Sequence, residues 1–258
     1  MPRFSANLST LFREHAPPDR PRAAAEAGFR CIEMQFPYDL DRGSFAAAVR
    51  DHGLAVSVIN LPAGTFMTGG AGDAAVPGRE GDFRAAVEAA LPWAAALKTE
   101  NVNVLAGAPA PEHGRDACLE TLAENLRHAA AAFADIGVRV VVEAINDTDR
   151  PGFLLPRAED ALAVIDRAGH PNLSLQLDLY HAAMTGEDPA ESVARHISRT
   201  GHIQFADAPG RHEPGTGAID FDAAFAAIDA AGYAGWVAAE YFPAGRTEDG
   251  LGWLARDG

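Results

Sequence analysis

The feature that most constrains the fold is a regular alternation of strand-like and helix-like segments along the whole chain. Such alternation is typical of parallel α/β architecture. The predicted strands are 3–7, 30–35, 54–59, 101–105, 138–143, 173–178, 201–206 and 235–240. The predicted helices are 19–27, 44–52, 80–98, 114–136, 157–169, 188–197, 220–231 and 247–255. Because these units fill 258 residues without a linker or a low-complexity tail, we expect residues 1–258 to form a single (β/α)8 barrel domain.

Side-chain alternation within the strands indicates a polar barrel interior. In 173–178 the leucines share one face, while Ser174, Gln176 and Asp178 share the other. A parallel sheet that is buried on both faces is apolar at nearly every position. The polar face therefore predicts a site inside the barrel, and sites of this fold lie at the carboxyl ends of the strands.

Four residues with side-chain oxygen ligands lie on the polar face near the ends of four strands. They are Glu143, Asp178, Gln204 and Glu240. A lone Glu at a strand end is more often a helix cap or an ion-pair partner, but four in phase favour a metal site. Carboxylates that converge raise each other's pKa unless a cation offsets their charge. An oxygen-rich ligand set without Cys suits Mg²⁺ or Mn²⁺, while His181 and His202 leave Co²⁺ and Zn²⁺ open.

Charge and hydropathy limit the partners. The formal net charge is −15, from 36 acidic and 21 basic residues, which argues against duplex nucleic acid or an anionic membrane as a partner. No apolar run approaches the ~18 residues of a membrane span, and we see no signal-peptide core at the N-terminus. Cys31 and Cys118 form no disulfide framework. We expect a reduced, cytoplasmic protein.

Two long segments after predicted strands are candidates for functional loops. Residues 60–79 follow the third strand, and residues 207–217 follow the seventh. Loops of this length in a compact domain are usually functional or disordered. The first is a candidate lid, with a mobile surface excursion as the alternative.

Several segments resemble one enzyme family. They are 3–9, 27–38, 60–64, 178–181 and 201–217, of which the last, GHIQFADAPGRHEPGTG, is the most specific. Together they resemble hydroxypyruvate isomerases, which belong to the xylose-isomerase-like TIM barrel superfamily. The resemblance runs from Arg3 to about Phe242.

The resemblance implies a divalent-metal-dependent isomerase of the aldose–ketose type, an intramolecular oxidoreductase. It implies that Glu143 and Glu240 bind the metal and carry out catalysis, and that Asp178 and Gln204 complete the ligand set. The implied cofactor is Mg²⁺ or Mn²⁺. The implied reaction converts hydroxypyruvate to tartronate semialdehyde (2-hydroxy-3-oxopropanoate).

Residue chemistry agrees with that reaction. A proton moves between neighbouring carbons through an enediolate, and a chelated metal stabilises the developing charge. One carboxylate removes the proton, and a second group returns it. Glu143 and Glu240 suit these roles, but the sequence leaves open which of them is the base.

Four further residues are candidate substrate ligands: His181, Arg211, His212 and Asn7. His181 lies three residues beyond Asp178, where it could bind a substrate oxygen or assist proton transfer, and a structural hydrogen bond is the alternative. A substrate carboxylate is best bound by a bidentate Arg, so Arg211 is the first candidate for that contact. Asn7 lies on the polar phase of its strand, like Glu33 and Gln35, so hydrogen bonds inside the barrel are an equal alternative.

Other functions remain open at this stage. A 2-oxotetronate isomerase and a ketose 3-epimerase would use the same site. A metal-dependent abasic-site endonuclease would need more His ligands and a basic face, and a ligand-binding barrel would not need two proton-transferring carboxylates. A homo-oligomer is compatible with the superfamily.

Overall fold

The computed structural model describes residues 1–110 and 112–254. The strands are β1 (Arg3–Asn7), β2 (Cys31–Glu33), β3 (Ala55–Val56), β4 (Val58–Asn60), β5 (Asn101–Val104), β6 (Arg139–Glu143), β7 (Leu173–Asp178), β8 (Thr200–Phe205) and β9 (Trp236–Ala239). The α-helices are α1 (Arg20–Glu26), α2 (Arg42–Asp51), α3 (Glu80–Leu97), α4 (Arg115–Ala134), α5 (Ala158–Ala168), α6 (Leu179–Met184), α7 (Pro189–His196) and α8 (Phe221–Ala230).

The sheet closes through the third predicted strand. Its residues form β3 and β4, which are separated by Ser57 and stand at the two ends of the strand order β3-β2-β1-β9-β8-β7-β6-β5-β4. All pairings are parallel. The amide of Ser57 donates to the Ile32 carbonyl at 2.9 Å, and its carbonyl accepts from the Asn101 amide at 3.0 Å. One chain segment thus pairs on both sides, which confirms the predicted TIM barrel.

Alternation along the strands separates an apolar outer layer from a polar interior. Leu175 and Leu177 in β7 belong to the hydrophobic core that the surrounding helices cover, and α5 packs on β7. The interior positions are buried and hydrogen-bonded to one another, as where Ser5 Oγ lies 3.1 Å from Ser57 Oγ. Buried polar groups keep such partners because an unpaired one is costly. Polar side chains of the strands therefore fill the barrel interior around these positions.

Two of the differences from the predictions concern helices. The helix predicted at 247–255 is a 3-10 helix at Glu248–Trp253, because Gly250 and Gly252 lower the α-helical propensity of this segment; residue 255 lies outside the described residues. Helix α6 was not predicted, and it begins directly after β7.

Two loops cover the carboxyl ends of the strands. The segment 61–79 contains a 3-10 turn at Phe66–Thr68, and the Ala71 carbonyl in it accepts from the Ala108 amide at 3.0 Å. In the other loop, Asp207 accepts hydrogen bonds from three backbone amides farther along, those of Gly215, Gly217 and Ile219. These bonds fix both loops over the barrel.

Within the described ranges, no helix combines the length and the apolar character needed to cross a bilayer.

Candidate active site

Four predicted ligands lie at the carboxyl ends of neighbouring strands. Glu143 ends β6, Asp178 ends β7, Gln204 lies in β8, and Glu240 follows β9. All four are at most 5% exposed. This arrangement follows from the shared direction of the strands, because parallel strands bring their carboxyl ends, and the side chains there that face the interior, to the same end of the barrel.

Glu143, Asp178 and His181 form the tightest group. Each offers one ligand atom within 4.8 Å of those of the other two. His181 Nε2 lies 3.7 Å from Glu143 Oε1 and 3.6 Å from Asp178 Oδ2. The unpredicted helix α6 produces this contact: Asp178 caps it by accepting from the Tyr180 amide at 2.8 Å, and its first turn carries His181 back over the strand end.

Asn146 sets the tautomer of His181. Its Oδ1 accepts from the Asp149 amide at 2.8 Å, so its Nδ2 is the atom that faces His181 Nδ1 at 2.6 Å. Nδ1 is therefore the acceptor, and Nε2 carries the ring proton towards the two carboxylates. Burial lowers the pKa of His181 to about 4 despite the nearby charge of Asp178, so the imidazole is neutral at pH 7.

Glu240 lies outside this group and is bound to a different set of partners. Its Oε1 accepts from Gln35 Nε2 at 2.8 Å and from Arg211 Nη2 at 2.9 Å. The same Nη2 lies 3.6 Å from Asp178 Oδ2. Arg211 thus links Glu240 to the group formed by Glu143, Asp178 and His181. Burial lowers the pKa of Arg211, but the charges of Glu240 and Asp178 outweigh it and hold that pKa above its ordinary value.

Gln204 joins a buried polar network. Its Nε2 donates to Glu33 Oε1 at 2.7 Å, and its Oε1 accepts from Gln176 Nε2 at 2.6 Å. Glu33 also binds His202 Nε2 at 2.8 Å and Asn7 Nδ2 at 2.8 Å. These bonds orient the Gln204 carbonyl away from Glu33. They also place the fully buried Asn7 among internal partners, which is the alternative weighed from the sequence.

His212 lies at the edge of the site. Its Nδ1 donates to the Phe242 carbonyl at 2.6 Å, and its own backbone carbonyl accepts from the Asp207 amide at 2.9 Å. Neither His212 nor Asn7 lines the cavity described next. A substrate contact by either residue therefore stays a prediction.

A cavity of about 70 Å³ opens between these groups. Its walls are formed by Gln35, Phe36, Asn60, Phe66, Met67, Leu105, Glu143, Ile145, Asp149, Arg150, His181, Arg211 and Glu240. Cavities for drug-sized ligands measure about 300–1,000 Å³, so this one suits a ligand of few atoms. A larger groove of about 820 Å³ lies at the opposite end of the barrel, and none of the predicted site residues lines it.

The two glutamates have raised pKa values. Burial, with the nearby charge of Asp178, raises the pKa of Glu143 to about 8. Burial also raises the pKa of Glu240 well above its ordinary value, although Arg211 acts against the shift. Asn103 Nδ2 donates to Glu143 Oε2 at 2.8 Å, which leaves Oε1 facing His181. Carboxylates with such raised values are characteristic of functional sites.

The residues present fit a divalent cation. Buried carboxylates this close repel one another unless a positive charge lies between them, and their oxygen donors suit Mg²⁺ or Mn²⁺. A second group, formed by Glu159, Glu187 and His196, is more exposed than the first. Arg195 Nη1 also lies 3.4 Å from Glu159 Oε1 and 3.9 Å from Glu187 Oε2.

Sequence reasoning missed Asn146, Asn103 and Arg150. Asn103 was detectable, because it lies on the polar phase of β5. Asn146 and Arg150 lie beyond the end of β6, in an irregular segment where no periodicity indicates which side chains face the site.

Comparisons with known proteins agree with this geometry. A profile of the xylose isomerase-like TIM barrel family matches residues 21–257. The chain is 41% identical over 254 residues to a 2-oxo-tetronate isomerase from Cupriavidus necator, with 98% of each protein covered. It is 40% identical over 254 residues to a hydroxypyruvate isomerase from Escherichia coli, again with 98% of each covered.

Among solved structures, a protein named AP endonuclease, family 2, from Brucella melitensis superposes with a TM-score of 0.95. The two are 40% identical, and the match covers 100% of this chain and 99% of the other.

Proposed function

Because this chain belongs to the xylose isomerase-like TIM barrel family and is an enzyme of the isomerase class, we propose that it interconverts hydroxypyruvate and tartronate semialdehyde with the help of a divalent metal ion. One observation carries the proposal: two buried glutamates with raised pKa values, Glu143 and Glu240, face the same small cavity. A reaction that takes a proton from one carbon and returns it to the next needs two such groups.

Glu143, Asp178, Gln204 and Glu240 would hold the metal, for which Mg²⁺ and Mn²⁺ are the best candidates. When bound, the metal supplies a positive charge that favours build-up of negative charge on the substrate oxygens during proton transfer. Gln204 donates to Glu33 and accepts from Gln176 through Oε1, so it would have to share or exchange this last bond to hold the metal.

Side chains of the protein carry out the proton transfer and bind the substrate oxygens. One of Glu143 and Glu240 removes a proton from the hydroxymethyl carbon, and a proton is returned to the neighbouring carbon. His181, neutral and with its proton on Nε2, donates a hydrogen bond to an oxygen in the cavity. Arg211 keeps Glu240 in place and has a buried Nε–H without a partner among the described residues, which is free to bind a substrate oxygen.

A four-carbon acid is the second candidate. The relative from Cupriavidus necator is named a 2-oxo-tetronate isomerase, and conversion of 2-oxotetronate to 3-oxotetronate uses the same proton transfer. Met67 at the cavity is 47% exposed, so its displacement would make room for one more carbon. The cavity of about 70 Å³ disfavours a free ketose as a 3-epimerase substrate.

Two other classes of function are less well supported. A duplex-DNA endonuclease would need a basic surface, and the net charge of −15 opposes it. A ligand-binding barrel has no use for Glu143 and Glu240 as a pair of proton-transferring groups. A cytoplasmic location and assembly as a homo-oligomer stay predictions from the sequence.

The test is turnover of both acids by the purified protein. Metal is removed with a chelator and then restored as Mg²⁺ or Mn²⁺, and the aldehyde product is measured. We expect activity only with metal, and loss of it in Glu143→Gln and Glu240→Gln. Glu88→Gln, an exposed position on α3, is the matched control and should retain activity. Failure to convert either acid with metal bound would refute the proposal.

A further inference from the structure

We propose that Arg150 forms the subsite that binds the substrate's carboxylate and so selects acids over neutral hydroxy-ketones. This inference rests on the proposed function, because it concerns the substrate of the same cavity. It assigns to Arg150 the contact that sequence reasoning gave first to Arg211.

The other arginine of the cavity is already engaged by carboxylates of the protein. Arg211 Nη2 binds Glu240 Oε1 at 2.9 Å and lies 3.6 Å from Asp178 Oδ2, while Nη1 lies 4.0 Å from Asp149 Oδ2. A bidentate contact with a substrate carboxylate needs two N–H groups on one edge of the guanidinium. Nη2 belongs to both edges of the guanidinium and already lies near two carboxylates, so a substrate carboxylate bound there would compete with Glu240 and Asp178.

Arg150, in contrast, has no carboxylate partner among the described residues. It lines the same cavity, and its side chain makes no hydrogen bond or ion pair with any residue in 1–110 or 112–254. Its guanidinium lies over the ring of Phe66, 5.5 Å from the ring centroid. A guanidinium held by an aromatic face keeps its N–H edges free for an anion.

The backbone around Arg150 is fixed by the residues that build the catalytic group. Its amide donates to the Asn146 carbonyl at 3.2 Å, and its carbonyl accepts from the Phe153 amide at 3.0 Å. Asn146 is also the residue that orients His181, and the ring centroids of Phe153 and Phe66 are 5.6 Å apart. One short turn therefore positions both the neutral His181 and the unpaired cation.

The charges around the cavity indicate a role for the Arg150 guanidinium. The site contains the carboxylates of Glu143, Asp149, Asp178 and Glu240, and an approaching acid adds another negative charge. Arg150 is exposed and lines the cavity, so an approaching acid meets a cation that has no carboxylate partner among the described residues. With the carboxylate on Arg150, the hydroxy-oxo end of the substrate points to the two glutamates.

The test compares an acid with its neutral counterpart in the Mn²⁺-loaded enzyme. Hydroxypyruvate carries a carboxylate where dihydroxyacetone has a hydroxymethyl group, and the rest of the skeleton is the same. We expect Arg150→Gln to raise KM for hydroxypyruvate about tenfold to hundredfold, the usual effect of losing a charge-assisted contact. Turnover of dihydroxyacetone should not change. Arg150→Lys, which keeps the charge but not the fork, should lie between.

Arg84→Gln is the matched control: it removes the same charge from an exposed position on α3 that does not line the cavity. Equal KM values for hydroxypyruvate in the wild type and Arg150→Gln, with unchanged melting temperatures, would overturn the assignment.

A second measurement separates this inference from the proposed function. Isothermal titration with D-glycerate, which has the carboxylate but no carbonyl to isomerise, reports the subsite without turnover, and glycerol serves as the neutral probe. We expect Arg150→Gln to weaken D-glycerate binding at least tenfold. If the wild type fails to isomerise hydroxypyruvate, the proposed function fails, and the D-glycerate titration alone decides the subsite. Unchanged D-glycerate binding would refute it.

Discussion

Metal binding to this protein should release a proton, and its affinity should rise steeply with pH. Burial and the charge of Asp178 raise the pKa of Glu143 to about 8 in the metal-free protein, so this carboxyl is mostly protonated at pH 7. A metal binds the carboxylate, and the proton must leave first.

The size of the effect follows from that pKa. For one group with a pKa of about 8, the dissociation constant for a metal falls about 50-fold between pH 6 and pH 8, with about 0.9 proton released at pH 7. Glu240, whose pKa is also raised, makes the dependence steeper still.

The raised pKa of Glu143 also predicts that the metal-free protein loses stability as the pH rises. The unfolded chain ionises Glu143 above the ordinary glutamate pKa of 4.5, whereas the folded metal-free protein keeps it protonated up to about pH 8. The folded state therefore binds more protons in this window, and its free energy of unfolding falls as pH rises from 4.5 towards 8. Bound metal removes this penalty, so added Mn²⁺ should raise the melting temperature more at pH 8 than at pH 6.

The assay is calorimetric titration of metal-free protein with Mn²⁺ at pH 6, 7 and 8, in pairs of buffers with different ionisation enthalpies. Glu88→Gln should behave like the wild type, and Glu143→Gln should bind weakly with a flatter pH dependence. An affinity that stays constant from pH 6 to pH 8, with no proton release, would refute the reasoning.

Two other substitutions test single contacts. Asn146→Ala should lower kcat about tenfold to hundredfold in steady-state kinetics, because the tautomer of His181 is no longer fixed; an equal loss in Asn172→Ala, which removes hydrogen bonds far from the site, would contradict this. Gly107→Ala should destabilise the protein by about 1–3 kcal/mol in thermal unfolding, because φ is +75° and the new Cβ meets the Ala71 carbonyl. Gly81→Ala, with open space around it, should show no loss.

Local sequence was sufficient for the barrel and for the strand-end residues. Strand β7 alternates with period two, so the phase of Asp178 follows from its own neighbours. Strand β6 is a continuous valine run before Glu143, so the position of Glu143 at the strand end, rather than alternation, indicated its role. The parallel arrangement then places such residues at one end of the barrel without further information.

The pairings between side chains required the structure. Gln35 and Glu240 are 205 residues apart, and Gln204 and Glu33 are 171 apart, so no local pattern links them. Asn7 illustrates this limit. Its side chain lies on the polar face of β1 as predicted, but the alternation along the strand does not show whether such a side chain lines a cavity or donates a hydrogen bond inside the barrel. Helix α6 was missed because it has only six residues, which is too short for a helical periodicity to emerge.

The most direct test of proton transfer between Glu143, Glu240 and the substrate is NMR of hydroxypyruvate with the Mg²⁺-loaded enzyme in D2O. We expect an aldehyde product that carries deuterium on the carbon that was the ketone, because the transferred proton exchanges with solvent on a carboxyl group. Absence of the aldehyde, or a product with only protium at that carbon, would contradict this mechanism.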